Sequence, residues 1–378
     1  MVSDFDEYIR QGEPDKVEKS RSWQTAIGLQ QVDGLTPSAY LIETAKQNIE
    51  GKITIDEVKY RIDSYYKQQA SKTTENYRTE EADKVSANIA EILSEKTFTF
   101  SPAELLAIHK RLFTGVENIR VKVGKVRDYN ITKSEWVLNG KTVYYASADT
   151  INATLDYDFK QEKQFNYKGL SKREIVEHIA NFISRLWQIH AFGEGNTRTI
   201  AVFTIKYLRT FGFDVENDMF AQHSWYFRNA LVRANYNDTQ NKIYATQEYL
   251  MRFFGNLLLG EHNELKNRYL HININNDVIE EQNVSVNKKE GGQKDDLGGQ
   301  KDNLGGQKKF SEQVVRLLDL IIEKPNITRK ELSEALQINP SAVQKHIQKL
   351  KNEGVISREG SDKKGFWRIT IRDDANHK

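Results

Sequence analysis

Apolar side chains recur every three or four positions through most of the first 270 residues, and this pattern predicts a mainly α-helical body. In residues 82–93, Val85, Ile89 and Ile92 share one helical face. The longest apolar stripe follows a capping box at Ser171, and its members are Ile175, Val176, Ile179, Ile183, Leu186 and Trp187. The same pattern of apolar side chains predicts further helices at 101–113, at 198–207, from 224 onward and from 247 onward.

One segment of this body departs from the helical pattern. Residues 130–147 carry the pair Asn139-Gly140 between two runs of β-prone side chains, which is a strong short-range signal for a β-hairpin. A single hairpin inside a helical domain is commonly used to dock a substrate. We therefore expect a hairpin here with a role in binding.

The C-terminal residues, 310–378, have a separate pattern of three helices followed by two strands. An apolar helix at 314–322 precedes a capping box at 328–331, and a third helix is predicted from Ser341 to Glu353. Strands are predicted at 355–358 and 366–369, around a tip rich in Gly and Lys. Three helices and a hairpin are similar to a winged helix-turn-helix, with the third helix as its recognition helix.

The charge of this C-terminal segment favours DNA as a partner. Between Lys345 and Arg372, eight Lys or Arg residues stand against three Asp or Glu, whereas the whole chain carries a net charge of only +2. Winged helices also dock proteins, so both kinds of partner remain open. The candidate DNA-binding residues on the third helix are Ser341, Gln344, Lys345, Gln348 and Lys349.

Between the two patterned parts lies a seven-residue repeat, GGQKDDL followed by GGQKDNL and GGQK. Each unit has one Leu and two adjacent Gly, which cannot form the apolar seam of a coiled coil. The repeat therefore predicts a flexible linker. The expected domains are an N-terminal helical region at 1–72, a core at 73–274, the linker at 275–309 and a winged helix at 310–378.

Composition excludes several classes of site. The chain has no Cys, which excludes disulfides, thiolate metal sites and cysteine nucleophiles. The N-terminus lacks the apolar region of a secretory signal, and no stretch approaches the apolar length of a membrane span. We expect a cytoplasmic protein with no membrane contact.

The residues best suited to chemistry lie in the sequence IHAFGEGNTR, residues 189–198, between two predicted helices. The glycines around Glu194 and the N-terminus of the following helix can form an anion site. His190 is a base that titrates near neutrality, Glu194 is a suitable Mg²⁺ ligand, and Arg198 can hold phosphate oxygens. This set indicates phosphoryl or nucleotidyl transfer. The alternative is a glycine-rich connection between helices with no chemical role.

The segment HAFGEGNTR resembles the Fic motif, HxFx(D/E)GNGRxxR, and the resemblance extends over about residues 77–270, including GKVRDYNIT and the hairpin after it. Fic proteins are helical, carry a hairpin called the flap, and mostly transfer AMP from ATP to a Ser, Thr or Tyr hydroxyl of another protein. The resemblance thus implies a mainly α fold class: a Fic helical core with a β-hairpin flap, plus the small winged-helix domain.

The resemblance also implies roles for individual residues. His190 would deprotonate the target hydroxyl, Glu194 would hold the Mg²⁺ that bridges the α- and β-phosphates, and Arg198 would bind a β- or γ-phosphate. The flap residues Asn130, Ile131 and Thr132 would hold the target segment through backbone pairing. The residues that would contact ATP are Gly193, Glu194, Gly195, Asn196, Thr197, Arg198 and Asn235.

Three positions depart from the Fic motif. Ala191 replaces a Pro, Thr197 replaces the second Gly of GNGR, and Ala201 stands where the final Arg is expected. Thr197 is strained if that position needs a positive φ and harmless if it is already helical. Because relatives use the final Arg on the γ-phosphate, nucleotide binding is expected to be weak or differently arranged.

The N-terminal region resembles the small antitoxin-like domain that inhibits some Fic enzymes through the motif (S/T)xxxE(G/N). Here Leu29 takes the Ser/Thr position and Asp33 the Glu position. The arginine that such a carboxylate would block is Ala201 in this chain. We therefore expect Asp33 to have no arginine partner and the region to act as a structural cover.

The leading hypothesis is a protein adenylyltransferase that uses ATP and Mg²⁺ on a protein of unknown identity. The second is a DNA-binding transcriptional regulator whose catalytically weak Fic core senses a nucleotide. A third is an enzyme whose winged helix recruits protein targets. The residue pattern does not exclude a nucleotide donor other than ATP, or an enzyme that removes AMP instead of transferring it.

Overall fold

The structure, a computed structural model, comprises two compact units, residues 1–266 with 270–273 and residues 267–269 with 274–378. In the part of the chain that it describes, no helix is long and apolar enough to span a membrane. The described residues are 5–10, 12–68, 74–116, 122–213, 215, 218–272, 316–318, 320–321, 324, 326–336, 338–352, 356–359 and 366–369. The linker predicted at 275–309 lies outside them.

The first unit is helical, as its periodicity predicted. Its α-helices are α1 (Asp6–Arg10), α2 (Pro14–Gly28), α3 (Ala39–Ile49), α4 (Ile55–Lys67), α5 (Thr74–Ser94), α6 (Pro102–Phe113), α7 (Ile151–Gln164), α8 (Lys172–Ile189), α9 (Asn196–Thr210), α10 (Met219–Ala234) and α11 (Glu248–Leu258). Short 3₁₀ turns lie at Leu29–Asp33, Trp136–Leu138, Ala148–Thr150 and Asn267–Leu270.

Helix α8 lies at the centre of this unit. It begins with the predicted capping box, in which Ser171 and Glu174 each accept a hydrogen bond from the other's backbone N–H. Its apolar stripe is buried and meets an aromatic cluster from α7 and α9, where Phe182 lies 5.9 Å from Phe159 between ring centroids.

The hairpin predicted over residues 130–147 is present only as its turn. Asn139 and Gly140 both have positive φ, 54° and 82°, as the sequence indicated. No strand is assigned anywhere in residues 122–150, all of which are described. The 3₁₀ turn Trp136–Leu138 takes that place, and its last two residues are both fully buried. The apolar pair Val137-Leu138 is thus buried in a turn and not in a paired strand.

Residues 12–68 pack into the same unit as the Fic-like segment. Trp23 is fully buried, and the Ser224 hydroxyl on α10 donates a 2.7 Å hydrogen bond to the Gly28 carbonyl at the end of α2. A Cβ added to Gly28 would lie 2.3 Å from the carbonyl oxygen of Ala221, so only glycine fits there. The 3₁₀ turn Leu29–Asp33 is thereby held against α9 and α10.

The second unit shows the predicted order of elements. Residues 316–318 and 320–321 are helical, α12 (Arg329–Leu336) and α13 (Pro340–Asn352) follow, and β1 (Ile356–Glu359) pairs antiparallel with β2 (Phe366–Ile369). Its buried core is formed by Leu317, Ile321, Ile327, Leu332, Leu336, Val343, Ile347, Leu350, Ile356 and Trp367. The Trp367 indole donates to the Ile327 carbonyl at 3.0 Å, which ties the strands to the helices.

Candidate active site

The segment singled out by the sequence forms a short loop between α8 and α9. His190 caps the end of α8 with a φ of 50°, which is uncommon for a residue other than glycine. Gly195, with a φ of 71°, precedes the first residue of α9. The loop thus places His190 at one helix C-terminus and the backbone N–H groups of α9 at its other end.

Packing on both sides keeps this loop in one conformation. The Asn196 side chain accepts from the Phe192 N–H at 2.9 Å and donates to the Phe192 carbonyl at 2.6 Å. A Cβ added to Gly195 would lie 2.2 Å from the Phe113 ring. The polar atoms of Asn196, predicted to contact ATP, are therefore engaged within the loop itself.

A histidine that the sequence analysis did not select supports the loop from α6. His109 is fully buried, its Nδ1 accepts from the Gly124 N–H at 2.9 Å, and its Nε2 lies 3.2 Å from the Glu194 carbonyl oxygen. Its ring stacks on Phe192 at 3.8 Å. Burial lowers the pKa of His109 to about 4, so its ring is neutral. The only signal for it in the sequence was a histidine within an apolar helical run.

His190 is a buried histidine whose environment keeps the imidazole neutral. The residue is 2% exposed, its Nδ1 lies 3.4 Å from the Trp187 carbonyl oxygen, and its Nε2 has no hydrogen-bond partner among the described residues. Burial, with Lys133 and Arg228 nearby, holds the pKa of His190 well below its usual range. The imidazole is therefore neutral at physiological pH, with a lone pair free on one nitrogen.

Arg127 holds the backbone around His190. Its Nε donates to the His190 carbonyl at 2.8 Å, and its backbone N–H donates to the Ala191 carbonyl at 2.9 Å. The guanidinium also donates to the carbonyl of Tyr129, directly before the 130–147 segment, and to that of Ala146, near the end of the segment. The segment GKVRDYNIT gave no local signal for this role of Arg127, because the carbonyls of Ala146, His190 and Ala191 are distant in the chain.

Arg198, at the other end of the loop, is completely surrounded. It is 0% exposed, its Nε lies 2.8 Å from Asp33 Oδ2, and its Nη2 donates to Glu81 at 2.7 Å. Its Nη1 donates to Gln30 at 3.1 Å, and its guanidinium carbon lies 4.9 Å from the Phe113 ring centroid. Each nitrogen of the guanidinium thus has a partner inside the protein.

The expectation that Asp33 has no arginine partner is wrong. Ala201 is fully buried in α9, but Asp33 reaches Arg198, which lies one helical turn earlier on that helix. Burial opposes the charge of Arg198, yet Asp33 and Glu81 outweigh it and raise the pKa of the guanidinium. Arg78 donates to the Asp33 carbonyl at 3.1 Å and so helps to fix the turn that carries this carboxylate.

Two other predicted ATP contacts make hydrogen bonds to α8. Thr197 is helical and buried, and its hydroxyl accepts from the Trp187 indole N–H at 3.0 Å, so the position needs no positive φ. Asn235 donates from its side-chain amide to the Ser184 hydroxyl at 2.9 Å. Neither side chain contacts His190 through these bonds, and their roles in nucleotide binding stay predictions.

Glu194 projects from the loop without a partner. In the described part of the chain its carboxylate makes no hydrogen bond or ion pair, and burial, with Glu81 and Asp33 close by, raises its pKa. A cation would relieve this repulsion, so the carboxylate fits a Mg²⁺ ligand. No three Asp, Glu or His side chains among the described residues group to hold a metal by themselves. A metal here would complete its coordination with phosphate oxygens and water.

Lys133 is a cation of this site that the sequence analysis missed. Its ammonium forms no hydrogen bond or ion pair with any described residue, and burial lowers its pKa against the opposing influence of Asp33 and Glu194. The Lys133 N–H donates to the Thr142 hydroxyl at 3.1 Å, which fixes its backbone. An unpaired half-buried lysine beside two carboxylates is a candidate anion ligand.

The predicted docking residues lie on the same segment as Lys133. Thr132 is exposed and, with Lys133, lines a cavity of about 760 Å³ that Asp238 borders from the opposite side. Asn130 is exposed and accepts a hydrogen bond from the Ala148 N–H at 2.9 Å, whereas Ile131 is half-buried. Backbone groups near a cavity of this size are accessible to a peptide segment.

In the second unit, α13 separates a buried face from a polar one. Val343, Ile347 and Leu350 are buried. The candidate DNA-binding residues Ser341, Lys345, Gln348 and Lys349 are exposed and Gln344 is half-buried. The helix therefore offers a polar, positively charged face, as a recognition helix requires.

Comparison with solved structures finds similar folds in Bartonella effector proteins. The N-terminal Fic domain of Bep8, a VirB-translocated effector from Bartonella sp. 1-1C, is 18% identical over 50% of this chain and 88% of that chain, with a TM-score of 0.39. BepC from Bartonella tribocorum, solved with bound AMPPNP, is 20% identical over 52% of this chain and 91% of that chain, with a TM-score of 0.38. No curated protein matches the chain.

The sequence also matches two protein families. Residues 99–208, which contain the whole loop between α8 and α9, match the Fic/DOC family. Residues 311–357 match the winged helix-turn-helix DNA-binding family. The chain therefore carries a Fic/DOC domain at residues 99–208 and a winged helix-turn-helix at residues 311–357.

Proposed function

We propose that this protein is an adenylyltransferase that transfers AMP from ATP to a hydroxyl group of a protein target. The observation that carries the proposal is the state of His190. A buried, neutral imidazole whose Nε2 has no hydrogen-bond partner in the described part of the chain is ready to accept a proton. His190 begins the loop that carries the unpaired carboxylate of Glu194 and that ends at the N-terminus of α9, which suits phosphate binding.

In the proposed reaction, the target hydroxyl gives its proton to His190 Nε2 while its oxygen attacks the α-phosphorus of ATP. The bond from that phosphorus to the bridging oxygen of the β-phosphate breaks, and pyrophosphate leaves. The contact of Nδ1 with the Trp187 carbonyl favours the tautomer whose proton is on Nδ1. Arg127 keeps the ring in place through the His190 carbonyl.

We further propose that Lys133 and Glu194 provide the charges for phosphate binding. With Ala201 in place of an arginine, Lys133, whose ammonium has no partner among the described residues, is a candidate cation for this role. Glu194 would hold Mg²⁺, which when bound neutralises negative charge on the phosphates. The backbone N–H groups that follow Gly195 would add to the anion site, as the sequence analysis predicted for Gly193, Gly195 and Asn196.

Arg198 would be restrained in the resting protein by the antitoxin-like N-terminal region, residues 1–72. Asp33, Gln30 and Glu81 occupy its three nitrogens, so a phosphate can bind it only if the turn Leu29–Asp33 moves away. Asp33 would then act as an inhibitory carboxylate, although through Arg198 rather than through position 201.

The experiment that tests the function is incubation of the full chain with α-labelled ATP, Mg²⁺ and a cell extract, followed by gel separation. Label should appear on protein, and His190→Ala should reduce the rate by about 10²–10⁴-fold because a general base is lost. Calorimetry should show that the variant still binds ATP. Equal labelling by wild type and variant would contradict the mechanism.

A second candidate function is supported by the winged helix-turn-helix and by the sequestered Arg198. The protein would be a DNA-binding regulator whose weakly catalytic Fic core senses a nucleotide, with residues 275–309 as linker. If the protein is such a regulator, fluorescence anisotropy should show DNA binding that changes when ATP is added. Incubation with labelled ATP should then show no transfer of label to protein. Lys345→Gln with Lys349→Gln should weaken DNA binding and reduce its salt dependence.

A further inference from the structure

The side chain that covers His190 comes from the 130–147 segment. The ring of Tyr145 lies 4.1 Å from the imidazole between centroids, with 34° between the planes. Trp187 contacts the imidazole from another side, with a centroid distance of 5.2 Å and perpendicular planes. The two aromatic rings explain how a residue at the end of a helix, in a loop, can be 2% exposed.

The Tyr145 ring is itself anchored by a buried ion pair. The Tyr145 hydroxyl donates to Glu135 Oε1 at 3.2 Å, and both carboxylate oxygens of Glu135 lie near Arg228 of α10, at 2.8 and 3.1 Å. The Glu135 side chain is fully buried. A buried carboxylate is retained only where partners compensate its desolvation, so this pair is fixed in place and restricts the Tyr145 ring.

We propose that Tyr145 is a positioning residue for His190: its ring keeps water away from Nε2 and orients the imidazole, and the Glu135–Arg228 pair holds that ring. This inference rests on the proposed function of His190 as a base. The ring must move aside when a target hydroxyl reaches Nε2, so movement of this segment would open the base to its target.

The charged groups that face His190 come from three elements. Lys133 lies on the same segment as Tyr145, Arg228 lies on α10, and Arg127 lies before the segment. All three are cations, and each disfavours a positive charge on the imidazole. Burial under Tyr145 also lowers the pKa of His190, whereas the hydrogen bond to the Trp187 carbonyl raises it. Loss of the ring should therefore expose His190 to water and make it easier to protonate.

Nuclear magnetic resonance of the full chain with ¹⁵N-labelled histidine tests this inference directly. The His190→Ala spectrum assigns the His190 signals, and a pH series then measures the pKa of that residue. Tyr144→Ala is a matched control, because Tyr144 is the preceding residue but is 83% exposed. Thermal unfolding of each variant checks that the fold is retained.

In the wild type, the pKa of His190 should lie well below the usual 6.5, whereas Tyr145→Ala should raise it toward that value. Tyr144→Ala should match the wild type. If Tyr145→Ala does not fold, Tyr145→Phe, which keeps the ring and loses its anchor, should give a smaller rise. An unchanged pKa in the folded Tyr145 variants, or a wild-type value near 6.5, would overturn the inference.

The same variants separate this inference from the proposed function. If the wild type transfers AMP, Tyr145→Phe should lower kcat and leave the KM for ATP unchanged, because the ring acts on the base and not on the nucleotide. If the wild type transfers nothing, the proposed function fails, while the titration of His190 still decides whether Tyr145 shields it.

Discussion

The two ends of the loop between α8 and α9 differ in how their polar atoms are satisfied. At the His190 end, Nε2 is buried and has no hydrogen-bond partner among the described residues. At the Arg198 end, Glu81 and Gln30 each accept a hydrogen bond from one nitrogen of the guanidinium, and Asp33 forms an ion pair with the third, Nε, at 2.8 Å without hydrogen-bond geometry. Both side chains are almost fully buried, and both belong to the motif that carries the resemblance to Fic proteins.

This difference distinguishes His190, whose Nε2 is available to a ligand, from Arg198, which stabilises the folded protein. An unsatisfied buried nitrogen costs free energy that only a ligand or target can recover, which is typical of a functional site. A buried arginine with carboxylate partners contributes to stability, and removal of either side leaves a charge uncompensated. In the resting protein, the His190 end of the motif is therefore available for chemistry, whereas the Arg198 end has a structural role.

The largest expected effect is on stability at the Arg198 end. Arg198→Leu leaves Asp33 and Glu81 without their counter-ion and should lower the free energy of unfolding by about 3 kcal/mol. Urea unfolding followed by tryptophan fluorescence measures this. Arg173→Leu is the control, because the exposed Arg173 pairs with the partly exposed Glu261 at 2.7 Å and its loss should cost less than about 1 kcal/mol. Equal losses would remove the distinction between the two ends.

Gly195, between the two ends, should be nearly as sensitive. Gly195→Ala places a Cβ against the Phe113 ring at a positive φ, and we expect a loss of about 2–3 kcal/mol. Gly212→Ala is the matched control, since Gly212 has a φ of 74° with open space around it and reports the backbone cost alone. A loss no greater than in this control would show that the loop can shift away from Phe113.

Nucleotide binding should distinguish the two lysines of the 130–147 segment. Lys133→Gln removes the unpaired cation and should weaken ATP binding by about tenfold or more, because a hydrogen bond to a charged group is worth about 1.5–3 kcal/mol. Lys141→Gln, whose lysine pairs with Asp238 at 2.7 Å, should change it little. Calorimetry with ATP and with AMP measures both, and similar affinities for the two variants would exclude Lys133 as a phosphate ligand.

The smallest expected effect is the rise in ATP affinity and in transfer rate when a carboxylate partner of Arg198 is removed. Asp33→Asn removes one of its two carboxylate partners, and we expect ATP affinity and transfer rate to rise about fivefold, since a half-exposed ion pair is worth about 1 kcal/mol. Asp33→Asn with Glu81→Gln should give a larger rise at some loss of stability. A decrease in ATP affinity for both variants would show that Arg198 has no role in phosphate binding.

Much of the fold could be predicted from the sequence because helices depend on contacts three and four residues apart. The capping box at Ser171, the apolar face of α8 and the helices of the second unit appear where periodicity placed them. The segment at 130–147 was predicted as a hairpin because its turn residues are local signals. Its arms depend on burial of Val137 and Leu138, which is a property of the whole unit.

The sequence by itself also determined which residue types meet in the loop, because His190, Glu194 and Arg198 are close in the chain. Only the tertiary structure decided what each of them contacts. Asp33 pairs with Arg198 instead of facing an arginine at position 201, the Tyr145 ring lies against His190, and the Lys133 ammonium has no hydrogen-bond or ion-pair partner among the described residues. These contacts join segments that are far apart in sequence, and their choice follows from packing of α2, α5 and the 130–147 segment around α8 and α9, which no local pattern encodes.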